Sequence, residues 1–141
     1  AELARDKTKT GEEAHAQALA TIPTLAAKEA AWKIITAPES TNSIRAKSIT
    51  GFQAIGQRQL IAQFVDKYFA ELLVIWSQGF ETGSTFVEQM YPISVTTQET
   101  LDKSYAWLKG EGKDAPAMLQ RYVNEAAEGL ARALRAQERD K

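Results

Sequence analysis

Cysteine is absent from this chain, and histidine occurs once, at His15. Without thiols there is no disulfide framework and no thiolate-ligated zinc or iron–sulfur centre, a composition that fits a reducing compartment and points to the cytoplasm. A single imidazole rules out the paired-histidine face through which an H-E-x-x-H helix holds zinc. Long apolar runs are missing too. The most apolar stretch, residues 68–76, is interrupted by Glu71 and falls far short of the roughly 20 residues of a membrane-spanning helix. Neither sign of charge dominates: 17 basic residues face 18 acidic ones, and a net charge of -1 gives no field that draws nucleic acid or an anionic membrane.

What is present is one amphipathic helix after another, in 141 residues, a length that suits a single domain spanning 1–141. The first seven residues are charged and helix-prone, with no hydrophobic stretch and no initiator Met. They are not a signal peptide, and they imply that the chain begins inside an element, at a processing site or a cut within a longer polypeptide. Thr10-Gly11-Glu12-Glu13 has the form of a capping box and predicts a helix over 11–20. Pro23 breaks it, Thr24 caps a second helix reaching 36, and Pro38 closes that one. The polar cluster 40–43 caps a third helix to about 54, with Gly56 as its stop.

From 57 to 77 the apolar residues come as adjacent pairs every four positions, from Leu60-Ile61 to Leu72-Leu73 and Trp76. That spacing makes a stripe wide enough for two neighbours and predicts one long central helix. Gly79 and Gly83 are expected to bracket a loop before a short helix over 84–90. A second capping box, Thr96-Thr97-Gln98-Glu99, opens a helix ending at Gly110 and Gly112. Asp114 is expected to cap the last helix, with an apolar stripe through Leu119, Tyr122, Val123, Ala126, Leu130 and Leu134, and an ion pair between Glu128 and Arg132 on its wet side. Only residues 93–95 hint at a strand. The pattern is all-α, about seven helices in antiparallel hairpins, and by itself leaves a solenoid and a closed bundle both open.

Chemistry is scarce along these helices. His15 has Glu12 and Glu13 nearby, but no nucleophile and no orienting partner is identifiable, so it reads as a surface or packing residue. The acid pairs Glu12 with Glu13, Glu125 with Glu128 and Glu138 with Asp140 read as solvated helix faces. No calcium loop, phosphate loop or G-x-S-x-G elbow is present. Arg45, Lys47 and Arg58 suggest a small basic patch at a helix-turn-helix junction, but the helix in the recognition position is apolar on most of two faces. Trp32, Trp76 and Trp107 read as core filling, and Gly51 and Gly129, inside helices, as points of close helix approach. No catalytic, cofactor-binding or metal-binding residue is assigned.

The linear order of residues is more specific. Arg5-Asp6-Lys7-Thr8, Gly11, the alanine-rich turn over 14–20, Pro23-Thr24 and Lys28-Glu29-Ala30-Ala31-Trp32 resemble the C-terminal helical region of actinobacterial-type aminopeptidase N, in the M1 family of zinc aminopeptidases. Ser43 through Gly51-Phe52, Gln59-Leu60, and Lys67-Tyr68-Phe69 running into Trp76 continue the likeness, as do a helix over 99–108 and a last helix over 119–134.

The resemblance implies stacked helical hairpins in a HEAT/armadillo-like right-handed superhelix. It also implies a parent enzyme whose zinc, general base and amine-binding residues lie in other domains, so that none of them carries over onto any position here. The expected role is non-catalytic: enclosing the active-site chamber and controlling peptide access, with the catalytic domain of the same polypeptide and the peptide substrate as partners and neither nucleic acid nor membrane among them. An independent α-solenoid protein-interaction module is the alternative, and a small helical enzyme using His15 the third reading.

Overall fold

The computed structural model describes the backbone of residues 2–140 and the side chains of residues 8–140. The expectations resting on Arg5, Asp6 and Lys7, and on the character of the first seven residues, concern side chains outside those described. Among the described residues there are eight α-helices and no strand, and the contacts divide them into two units, one ending at Leu60 and the other beginning at Ile61.

The first unit holds α1 (Glu2–Thr21), α2 (Leu25–Thr36) and α3 (Asn42–Phe52). Pro23 separates the first two as expected, and Thr24 caps α2 by accepting from the Ala27 amide at 3.2 Å. Thr41 caps α3 in the same way, through the Ile44 amide at 3.1 Å. The capping box at Thr10 does not form, because α1 runs without a break through Thr10 and Gly11. No proline lies before Pro23, and the alanine-rich sequence sustains the helix through the glycine.

The core of this unit contains Trp32, Ile35, Ile49 and Phe52, with the Trp32 and Phe52 rings 5.8 Å apart. Gly51 marks where α3 crosses α1. A Cβ there would collide with the Gln17 carbonyl and lie 2.7 Å from the Ala20 Cβ, so only glycine allows the approach.

Two buried cations complete the unit, each placed where helices end. The last four carbonyls of a helix have no partner within it and need one from outside. Lys28 Nζ donates to Ala20 O at 2.7 Å, Gly51 O at 3.2 Å and Phe52 O at 3.3 Å, serving the ends of α1 and α3 together. Arg45 serves the end of α2: its Nε donates to Ile35 O at 2.9 Å and its Nη2 to Ala37 O at 2.9 Å and Ser40 O at 3.1 Å. In both cases a positive charge meets the negative end of a helix dipole. Burial lowers the Lys28 pKa below the ordinary 10.5, since desolvation opposes the ammonium.

The long helix expected over 57–77 is two helices, α4 (Arg58–Ala62) and α5 (Val65–Trp76). Neither glycine nor proline lies between them, and the break is a tightened turn in which the Phe64 amide donates to Ile61 O at 2.9 Å. Packing rather than local propensity sets it, with Ile61, Phe64 and Val65 all buried around the turn. Ile75 takes the buried position expected of Leu73, which is 39% exposed.

The second unit continues with α6 (Phe80–Gln89), α7 (Gln98–Lys109) and α8 (Ala117–Arg139). α6 starts at Gly79, whose φ of 137° suits glycine, so Gly83 lies inside the helix instead of bounding a loop. A Cβ on Gly83 would sit 2.9 Å from the Trp76 Cα, and the missing side chain is what lets α6 fold back on α5. Residues 93–95 form turns, not a strand. Thr97 rather than Thr96 caps α7, accepting from the Thr100 amide at 3.2 Å.

Asp114 does not cap α8. Pro116 holds the N-cap position without a side-chain bond, and Gln120 steadies the turn by donating to Gly112 O and Lys113 O, both at 2.8 Å. Glu128 accepts from Asn124 at 3.3 Å, and an ion pair on α8 joins Arg121 and Glu125, about two turns N-terminal of the expected pair. Gly129 makes no close approach, its nearest neighbour being Arg132 Nη2 at 3.7 Å from a built Cβ. Tyr68 sits at the centre of the aromatic core, 5.3 Å from Phe86, 5.0 Å from Phe69 and 5.8 Å from Tyr91.

Candidate functional site

The residues that drew attention in the sequence do not converge. His15 is exposed on α1, and among the described residues no three His, Cys, Asp or Glu side chains are grouped to hold a metal ion. The zinc implied by the resemblance therefore has no fitting ligand set in these residues. The basic patch is corrected, since Arg45 is 2% exposed and bound to backbone carbonyls while Lys47 and Arg58 stay in solvent. Trp32 and Trp107 are buried as expected; Trp76 is only half-buried, with its ring 5.9 Å from Phe80 and 6.0 Å from Tyr122. No described helix is long and apolar enough to cross a membrane.

The structure instead brings together groups that the sequence reading did not connect. A cleft of about 350 Å³ opens between α5 and α7 in the second unit. On α5, Asp66, Phe69 and Ala70 share a face at i, i+3 and i+4. On α7, Lys103, Ala106 and Trp107 do the same, and Gly110 follows at the C-cap. The alanines and Gly110 leave the space; Phe69 and Trp107 supply apolar walls.

Trp107 is held in place from behind. Its carbonyl accepts from the Gly112 amide at 2.7 Å, and the six-membered ring lies directly on Gly112, where a Cβ would overlap it. The indole Nε1 is shielded from solvent and has no acceptor.

Charge collects at the rim. Lys103 Nζ lies 2.8 Å from Asp66 Oδ1 and 3.2 Å from Glu99 Oε1. Asp66 and Glu99 thus set two carboxylates against this one ammonium, while Glu111, further along the cleft, makes neither a hydrogen bond nor an ion pair. The hydrogen bond that Lys103 donates to Asp66 raises the Lys103 pKa, so the rim stabilises positive charge. The Glu99–Lys103 spacing, acid four residues before base on a helix, is a signal readable in the sequence; that Asp66 joins it from another helix is not.

Comparison with known proteins covers nearly the whole chain. The family model described as the ERAP1-like C-terminal domain matches residues 1–132. The aminopeptidase N of Streptomyces lividans is 38% identical over 142 residues, taking in 99% of this chain but 16% of the length of that protein. With so much of its length matched, the chain belongs to the family of ERAP1-like C-terminal domains.

Proposed function

We propose that this chain is the non-catalytic C-terminal domain of a zinc-dependent M1 aminopeptidase of the cytoplasm, where it encloses the active-site chamber and limits which peptides enter. The observation carrying this reading is the 38% identity to an aminopeptidase N along 99% of the chain. The structure is compatible with it in a specific way: the cations most prominent in the fold are committed to holding it, Lys28 and Arg45 on helix-end carbonyls and Lys103 on carboxylates. Zinc belongs to the catalytic domain of the same polypeptide, which is the principal partner, and peptide is the second; no nucleic acid or membrane is involved. The helical hairpins act as a superhelical wall. By keeping bulk water from the chamber they strengthen electrostatic interactions at the reacting bond.

The test uses the natural full-length polypeptide that carries these residues. It is expected to contain an H-E-x-x-H sequence outside them, to bind zinc, and to release N-terminal residues from peptides. Loosening this domain with a flexible insertion ahead of α1 is expected to alter the preference for peptide length more than turnover of a single aminoacyl amide. A full-length protein without that sequence overturns the reading, as does a length preference unchanged by the insertion.

A further inference from the structure

We propose that α5, α6 and α8 of the second unit present a self-complementary surface on which a second copy of this chain docks about a two-fold axis. At its centre is Trp76, which unlike Trp32 and Trp107 is not buried. Its ring lies 5.9 Å from that of Phe80 on α6 and 6.0 Å from that of Tyr122 on α8. Gly83 fixes the indole, since a Cβ on it would lie 2.9 Å from the ring. Leu73, one turn before Trp76, and Met118, one turn before Tyr122, lengthen the strip at both sides.

Much of this apolar material faces solvent: Phe80 is 58% exposed, Met118 48% and Leu73 39%. With the open parts of Trp76 and Tyr122 the strip leaves on the order of 300–400 Å² of side chain uncovered. A stable interface takes about 800 Å² from each partner, little more than half of it non-polar. The strip therefore supplies most of the apolar centre that a dimer needs, and Trp and Tyr are the side chains that anchor such centres.

The charges beside the strip identify the partner as a second copy. Glu81 stands next to Phe80, and its carboxylate has no partner among the described residues. Arg121 stands next to Tyr122 and donates from Nε to Glu125 Oε1 at 3.0 Å, leaving its two terminal nitrogens for another acceptor. A two-fold axis through Trp76 sets Phe80 and Glu81 of one copy over Tyr122 and Arg121 of the other, so that the same apolar and ionic contacts are made twice. A net charge of -1 gives the two copies little repulsion. The surface is independent of whether the parent polypeptide is an aminopeptidase.

Sedimentation equilibrium of the 141-residue chain and of the natural full-length polypeptide tests the dimer. Both are expected to associate reversibly with a dissociation constant of about 10 μM, as suits an interface of modest size. Phe80→Ser removes a side chain that is mostly in solvent, which keeps the fold, and is expected to weaken the dimer at least about tenfold. Glu81→Arg and Arg121→Glu should each weaken it by about tenfold, because each sets like charges together twice. The double variant Glu81→Arg with Arg121→Glu should restore it to within about threefold.

A 141-residue chain that stays monomeric at about 1 mM overturns the proposal. So do open-ended association, a dimer indifferent to Phe80→Ser, and a double variant no tighter than the single ones. A full-length polypeptide that stays monomeric while the shorter chain dimerises assigns the strip to a segment of its own polypeptide, and overturns it as well.

Discussion

The Tyr68 hydroxyl donates to the carbonyl oxygen of Val87 at 2.7 Å, joining α5 to α6 within the aromatic core. Burial holds the Tyr68 pKa well above the ordinary 10.0, and burial raises that of Tyr91 as well. Well below pH 10.0 both tyrosines are neutral whether the chain is folded or not, and their contribution is fully present. Above it the unfolded chain gives up these protons first, so stability falls as pH rises toward the folded-state values. Denaturant melts between about pH 9 and about pH 11 should show this fall, and Tyr68→Phe should flatten it. A Tyr68→Phe variant with the same slope as the parent would remove Tyr68 as its source.

Lys28 gives the opposite sign. Its folded-state pKa lies below 10.5, so at neutral pH the charged amine carries a desolvation penalty. That penalty is relieved as pH rises through the lowered value toward 10.5, and over this window the Lys28 contribution makes stability increase. Lys28→Met should remove this rising component while leaving the tyrosine effect above it intact. At neutral pH the same variant takes the Lys28 donor from the Ala20 and Phe52 carbonyls, while Gly51 O keeps the Ala54 amide at 3.2 Å, and is expected to cost about 2 kcal/mol in denaturant melts. Lys28→Ala, which also opens a cavity, should cost more, about 3 kcal/mol.

Two glycines inside or next to helices should respond to alanine with opposite signs. At Gly112 the new methyl falls on the Trp107 ring, and overpacking of this kind costs about 1–3 kcal/mol. At Gly129 the nearest atom is the far end of Arg132, 3.7 Å away, so Gly129→Ala should stabilise α8 by about 0.5–1 kcal/mol through helix propensity. Thermal melts of the two variants give the comparison directly, and a destabilised Gly129→Ala would mean that α8 packs more closely there than its geometry indicates.

The tryptophans should rank by burial. Trp32 is 2% exposed against Phe52, and Trp32→Ala is expected to cost about 3–5 kcal/mol. Trp76, at the end of α5 and only half-buried, should cost distinctly less. Equal losses in denaturant melts would refute the ranking.

Local punctuation in this chain was legible: Pro23, Thr24, Thr41 and Gly110 do what their residue types predict. Failures came where a local motif had a tertiary competitor. Thr10 has every attribute of a cap but lies within α1, and no residue type marks the turn between α4 and α5. Burial of Lys28 was illegible for a related reason. The alanines around it allow close packing, but its three acceptors come from two other helices, and their convergence is a property of the fold. In the cleft, one helix contributes Glu99 and Lys103 at a readable spacing, while Asp66 arrives from α5 by packing alone.

Because one ammonium on α2 binds the ends of both α1 and α3, neither of those ends can fray without releasing a bond that the other shares. The three helices of the first unit should then lose amide protection from hydrogen exchange together, as one opening event, and in Lys28→Met the last turns of α1 and α3 should exchange independently of each other.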